Sequence, residues 1–162
     1  MAKKKKKKPR LNSMRLLEAE GVPYEVFTFP AERHSALEVA ELAGAAPAEV
    51  YKTLVVEREH GKPMLVMLAA DRQLDLKRLA ASVGEKKLRM ASHDDAEQMT
   101  GLQVGGISAL ALLNRGFDVF LDQRAMEFNC IYISAGQRGV NLILPVDDLL
   151  CVTGARIVDA TD

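Results

Sequence analysis

Val50-Tyr51-Lys52-Thr53-Leu54-Val55-Val56 is an apolar, largely β-branched run interrupted by one charge. Such a run reads as a strand. Alternate side chains of a strand share a face, so Lys52 lies with Val50, Leu54 and Val56 on the face expected to be covered. An ammonium without a partner in apolar surroundings loses several kcal/mol of hydration. Lys52 therefore either snorkels to the sheet edge on its long stem or lines a pocket, and the pattern alone leaves both readings open.

Working outward, Glu59-His60-Gly61-Lys62 is a turn and Met64-Leu65-Val66-Met67-Leu68-Ala69-Ala70 a second apolar run, which together predict a β-hairpin with Lys52 near the middle of a sheet. Upstream, Leu11, Met14, Leu16 and Leu17 recur at helical spacing until Gly21 and Pro23 stop the pattern. Tyr24-Glu25-Val26-Phe27-Thr28-Phe29 suits a strand closed by Pro30. Ser35-Ala36-Leu37-Glu38 matches a capping box, predicting a helix to about Leu42 that ends at Gly44. Downstream, Asp75 caps a helix ending at Gly84, Lys86-Lys87-Leu88-Arg89-Met90 is a short strand, and residues 92–100 form a helix stopped by Gly101. Residues 102–108 fit neither period and read as a loop. Residues 117–121, 131–134 and 140–144 read as strands, 145–151 as a short helix and 155–158 as a last strand. Helices and strands interleave irregularly, which favours α+β around a mixed sheet over a regular doubly wound fold.

With 162 residues, 48% of them hydrophobic, the chain can bury a core without metal or disulfide staples, and one domain over residues 11–162 is expected. It has two cysteines, no apolar stretch near 18 residues and no signal-like segment, so a soluble, cytoplasmic protein is expected. The zero net charge hides an asymmetry. Lys3, Lys4, Lys5, Lys6, Lys7, Lys8 and Arg10 carry seven of the 22 positive charges, leaving 15 basic against 22 acidic residues elsewhere. Residues 1–10 cannot pack and are expected to be a disordered tail, yet each of these cations could release a counterion from a polyanion, with nucleic acid the first partner to consider. The alternative is a merely solubilising tail.

Two segments are glycine-rich, Gly101-Leu102-Gln103-Val104-Gly105-Gly106-Ile107-Ser108 and Ser134-Ala135-Gly136-Gln137-Arg138-Gly139. Paired glycines let backbone N–H groups approach an anion or oxyanion, although two ordinary loops would look the same. Neither is a P-loop or a dinucleotide fingerprint. Arg138 adds a fixed charge that would suit a phosphate or ribose, or only solvent. Cys130 and Cys151 read as buried small apolar residues rather than nucleophiles. His34, His60 and His93 lack metal-ligand spacing, so neither a metal nor a cofactor is expected. Asp94-Asp95 and Asp147-Asp148 sit near helix starts, where the macrodipole explains them.

Tyr51-Lys52-Thr53-Leu54, Gln73-Leu74-Asp75-Leu76-Lys77, Thr100-Gly101 leading to Val104-Gly105-Gly106-Ile107-Ser108, and Ile131-Tyr132-Ile133-Ser134 with Gly136 and Arg138-Gly139 together resemble the YbaK/EbsC family. These are aminoacyl-tRNA deacylases similar to the editing domain of bacterial prolyl-tRNA synthetases. The second loop departs from the family's common Ser-Gly-Gly-Lys-Arg-Gly at Ala135 and Gln137, and Phe29 stands where a tyrosine is frequent.

The resemblance implies a mixed, partly closed β-sheet flanked by helices, with a pocket between sheet and glycine loops. It implies a trans-acting editing factor that removes cysteine from tRNA(Pro), with Cys-tRNA(Cys) a second substrate. The substrate's own thiol would attack its carbonyl, which is why such proteins are sometimes classed with lyases. The family's key lysine falls on Lys52, and its substrate contacts on Phe29, Thr53, Gly105, Gly106, Ile107, Ser108, Ser134, Gly136 and Arg138. The partners implied are the tRNA(Pro) acceptor end and prolyl-tRNA synthetase, with neither membrane nor DNA expected. Two rivals remain: a deacylase for Ala-tRNA(Pro) that activates water, and a non-enzymatic module that binds aminoacyl ends or a synthetase.

Overall fold

The computed structural model describes residues 10–162, so the lysines at 3–8 of the expected tail lie outside the described residues. In chain order the elements are α1 (Asn12–Ala19), β1 (Glu25–Thr28), α2 (Ala36–Ala43), β2 (Tyr51–Arg58), β3 (Met64–Ala69), α3 (Leu76–Val83), β4 (Leu88–Met90), α4 (His93–Thr100), β5 (Asp118–Asp122), β6 (Cys130–Ser134), β7 (Val140–Pro145), α5 (Val146–Thr153) and β8 (Arg156–Val158). Short 3-10 segments at Pro47–Glu49, Leu110–Arg115 and Gln123–Glu127 were not legible as elements, because three-residue periodicity over so few positions leaves no distinct apolar pattern.

The helix boundaries follow from local chemistry. Ser35 and Glu38 form a reciprocal capping box at α2, and Asp75 and Ser92 accept from backbone N–H groups of α3 and α4. Gly44, Gly84 and Gly101 close those three helices in the left-handed conformation.

Strands β4-β2-β3-β5-β8 form a five-stranded sheet, and β1-β7-β6 a three-stranded antiparallel one. The larger sheet is mixed, since β2 pairs antiparallel with β3 and β4, whereas β5 pairs parallel with β3 and β8. The two sheets face each other across a core that includes Tyr51, Val55, Leu65, Met67 and Leu121 from one and Ile131, Ile133, Leu142 and Leu144 from the other. A lone bridge between Val50 and Tyr132 joins them at one edge, giving the expected partial closure. On its far side the large sheet packs Val56, Met64, Val66 and Leu68 against Leu79 of α3. Strand β3 is thus covered on both faces, which is why it is an unbroken apolar run.

Strand β2 is also covered on both faces, since Tyr51 and Val55 on one and Val50 and Val56 on the other are buried. On the Lys52 face, Leu54 and Val56 pack under α3, while Val50 packs under α2 against Val39 and Ala40. Lys52 falls between these two covers. Nor is it interior to the sheet on both sides. Strand β4 pairs only with Val56, Glu57 and Arg58, and β6 bridges only to Val50, so no strand is paired with the outer edge of β2 from Tyr51 to Leu54.

Candidate functional site

A cavity of ≈ 460 Å³ opens at that bare edge. Its floor is residues 50–54 of the Lys52 strand together with Ala70, and one wall is Arg33, His34 and the first turn of α2. The opposite wall is Val104, Gly105 and Ile107 of the first glycine loop, with Ser134 and Asn141 from the paired strands β6 and β7 behind. Lys52 is half-buried and donates to the carbonyl oxygen of Arg72 at 2.9 Å. Loss of hydration lowers its pKa, and the negative charge of Asp71 partly opposes that shift. The ammonium has three donors, so this bond leaves two without a partner among the described residues. Snorkelling and pocket lining are therefore the same conformation.

Of the residues singled out from the sequence, Lys52, Thr53, Gly105, Ile107 and Ser134 line the cavity. Phe29, Gly106, Ser108, Gly136 and Arg138 are not among its lining residues. Phe29 packs against His34 with ring centroids 5.6 Å apart, so it supports a residue that faces the cavity. A Cβ on Gly106 would lie 2.8 Å from the backbone nitrogen of Arg138, which makes this glycine the point where the two glycine loops touch backbone to backbone. Its N–H donates to Gln103, and that of Gly136 to the Ser134 hydroxyl, so neither amide faces a ligand. Ser108 is 1% exposed and its hydroxyl is enclosed without a hydrogen-bond partner.

Arg138 also acts between the loops. Its Nε donates to the Val104 carbonyl at 2.7 Å, and its guanidinium is 4.0 Å from Glu97, whose carboxylate accepts from the Val104 N–H at 2.8 Å. Arg10 forms an exposed ion pair with Glu18 at 2.9 Å.

Both cysteines correct the sequence reading. Cys130 and Cys151 are exposed, because Ile131 and Ile133 take the inward positions of β6, and Val146 and Leu149 the inward face of α5. Among the described residues no cluster of His, Cys, Asp or Glu could hold a metal ion, and no helix is long and apolar enough to cross a membrane.

Arg33, His34 and Asn141 line the cavity without having been singled out as site residues. Arg33 and His34 precede the α2 cap, and Asn141 lies in an otherwise apolar strand. That break in the apolar pattern was the one signal available, the same kind that marked Lys52. The Nε2–H of His34 donates to the Pro30 carbonyl at 3.2 Å, and its Nδ1 lies 3.5 Å from Glu38. No histidine is hydrogen-bonded to a serine or cysteine among the described residues. The lining thus combines the cations of Lys52 and Arg33, the His34 imidazole, the Glu38 carboxylate, the hydroxyls of Ser35, Tyr51, Thr53 and Ser134 and the Asn141 carboxamide with apolar side chains.

A family model described as the aminoacyl-tRNA editing domain matches residues 31–151. A protein of Enterococcus faecalis named as a candidate Cys-tRNA(Pro)/Cys-tRNA(Cys) deacylase, EbsC, is 34% identical over 98% of this chain and 97% of its own length. The Escherichia coli multifunctional Ser/Thr-tRNA deacylase ProXp-y is 30% identical over 89% of this chain and 87% of its own. A crystal structure described as a candidate trans-editing enzyme for prolyl tRNA synthetase superposes with a TM-score of 0.79 at 26% identity, covering 95% of this chain and 99% of the other.

Proposed function

The chain belongs to the aminoacyl-tRNA editing domain family, and from that premise we propose that this aminoacyl-tRNA deacylase, acting in trans, takes cysteine from mischarged tRNA(Pro) with Lys52 as the residue that fixes the ester. The observation that carries the reading is a half-buried lysine lining a cavity that holds no hydrogen-bonded nucleophile–base pair among the described residues. An aminoacyl ester is already activated, so positioning and electrostatic stabilisation suffice. Lys52 holds the terminal nucleotide beside the ester. The Gly105 and Ile107 amides on the facing wall meet the developing oxyanion, each such donor being worth about 3 kcal/mol.

For a cysteinyl ester the nucleophile comes with the substrate. The thiol sulfur bonds to its own carbonyl carbon and the bond to the ribose oxygen breaks. The thiol proton ends on that oxygen, leaving a strained cyclic thioester and intact tRNA. The Lys52 charge favours the thiolate. A water-based route for alanine has weaker support, since the Nε2 of His34 is already engaged by Pro30. Ser134 and Asn141 at the back wall suit the polar end of a small side chain. The Ser/Thr-directed name of one relative makes serine and threonine the competitors to test.

The lysines at 3–8 and Arg10 would add salt-dependent affinity for tRNA, and prolyl-tRNA synthetase is the partner that would supply the misacylated product. An aminoacyl-tRNA substrate implies work in the cytoplasm. The test is a single-turnover panel over Cys-, Ala-, Ser-, Thr- and Pro-charged tRNA, with wild type and Lys52→Ala. Fastest turnover of Cys-tRNA(Pro), lost in the variant, is expected. Preference for Ala, Ser or Thr would overturn the cysteine assignment, and no turnover on any substrate would favour a binding module.

A further inference from the structure

Among the described residues the only hydrogen-bond partner of the Lys52 side chain is the carbonyl of Arg72, and that carbonyl belongs to a turn held from outside. The turn spans residues 70–75 between β3 and α3. Arg72 Nη1 donates to the Asp162 carbonyl at 2.7 Å, and the Asp75 N–H to the Ala160 carbonyl at 2.8 Å. Residues 160–162 are themselves fixed to the end of β5. Asp122, fully buried, accepts from the Ala160 N–H and the Thr161 hydroxyl, both at 2.9 Å. Arg124 donates from Nε to the Thr161 oxygen at 3.1 Å and from Nη2 to the Asp162 carbonyl. Of these residues, only Ala70 at the start of the turn lines the cavity of Lys52, while Arg72, Asp75 and Asp162 line a separate hollow.

We propose that residues 160–162 are a positioning strap for Lys52: anchored by Asp122 and Arg124 and gripping Arg72, they hold the Arg72 carbonyl where it fixes the ammonium in one place beside the cavity. Arg72, Arg124 and Thr161 are thus positioning residues that act through Lys52. A lysine stem has many rotamers, and at a bare strand edge the surrounding packing selects none of them. A carbonyl in a fixed place selects one. The requirement is strict, since a displacement of about 1 Å in a positioning group can reduce rate about a hundredfold. Burying the Asp122 carboxylate is a costly way merely to dock a chain segment, because apolar side chains of similar volume do that at least as well. A network that fixes direction explains it. The same turn also brings Asp71, whose charge supports the ammonium against its loss of hydration.

The inference rests on the role proposed for Lys52, and the experiment separates the two. Arg72→Met keeps the backbone carbonyl but has no donor to grip Asp162, and Thr161→Val breaks the link between Arg124 and Asp122. Single-turnover rates, KM, the pH–rate profile and Tm are measured on whichever charged tRNA the wild type deacylates, with Lys52→Ala alongside. The expected result is a maximal rate lowered about tenfold in both variants, KM within about twofold of wild type and a displaced basic limb, as for a misplaced positioning group. Arg72→Lys, which retains a donor, restores part of the rate. Wild-type rate and pH profile in folded Arg72→Met overturn the strap, whatever Thr161→Val does to folding. Wild-type activity in Lys52→Ala would instead overturn the role of the lysine.

Discussion

Lys52 and Arg138 both face the seam between sheet and glycine loops, and both look from sequence like cations waiting for a substrate. They differ in what holds them. The ammonium of Lys52 meets one neutral carbonyl and keeps two donors unpaired among the described residues, in a side chain that lines the cavity. The guanidinium of Arg138 joins Val104 and Glu97, and so ties one glycine loop to the other behind the wall. A cation becomes a site when the fold leaves its charge and donors unmatched, and becomes a brace when a carboxylate and a carbonyl already match them.

Replacing Lys52 should give the largest effect. Lys52→Ala is expected to lower the single-turnover deacylation rate by at least about a hundredfold, the scale for removing one stabilising donor, with Tm retained. Substantial residual activity would erase the distinction from Arg138. The next largest effect tests the seam. Gly106→Ala places a Cβ 2.8 Å from the Arg138 nitrogen. Such overpacking should cost about 1–3 kcal/mol in urea unfolding, since backbone cannot yield as a side-chain tip does.

Arg138→Gln removes the 2.7 Å bond to Val104 and should cost about 1 kcal/mol of stability. It should leave the salt dependence of tRNA binding unchanged. A slope reduced by about 0.7–0.9 would mean that Arg138 meets a phosphate, and the comparison would break. Removal of residues 1–10 is expected to flatten that slope instead.

The smallest effect concerns pH. The folded-state pKa of Lys52 lies below its unfolded value. In the alkaline window between the two, the unfolded chain binds more protons, so the contribution of Lys52 to stability rises with pH there; below the folded pKa its burial cost is fully present. Lys52→Met should therefore have a Tm at neutral pH equal to or above wild type, with any gain shrinking through that window. Thermal melts across alkaline pH check the sign.

Most of the helices and strands could be read locally. The Ser35 box, the Asp75 and Ser92 caps and the glycines at 44, 84 and 101 act over one turn of chain, and the structure keeps them where their chemistry puts them. Cys130 and Cys151 were misjudged because exposure depends on which face the neighbouring elements cover. The glycine loops were visible, but the division of their residues between cavity wall and backing was not. Gly105 and Gly106 are adjacent in sequence, yet one lines the cavity and the other packs on Arg138. Asn141 and His34 gave even less warning, since a single polar residue in a strand or before a cap has many structural uses.

The sequence by itself determined the elements, the mixed α+β class and the anomaly at Lys52, because capping, turn chemistry and apolar period are short-range. Only the tertiary structure decided that β4 and β6 leave the edge of β2 bare at that lysine, and that the turn after β3 meets its ammonium. Both depend on contacts between segments far apart in the chain. A charge is costly or useful according to what those segments place around it.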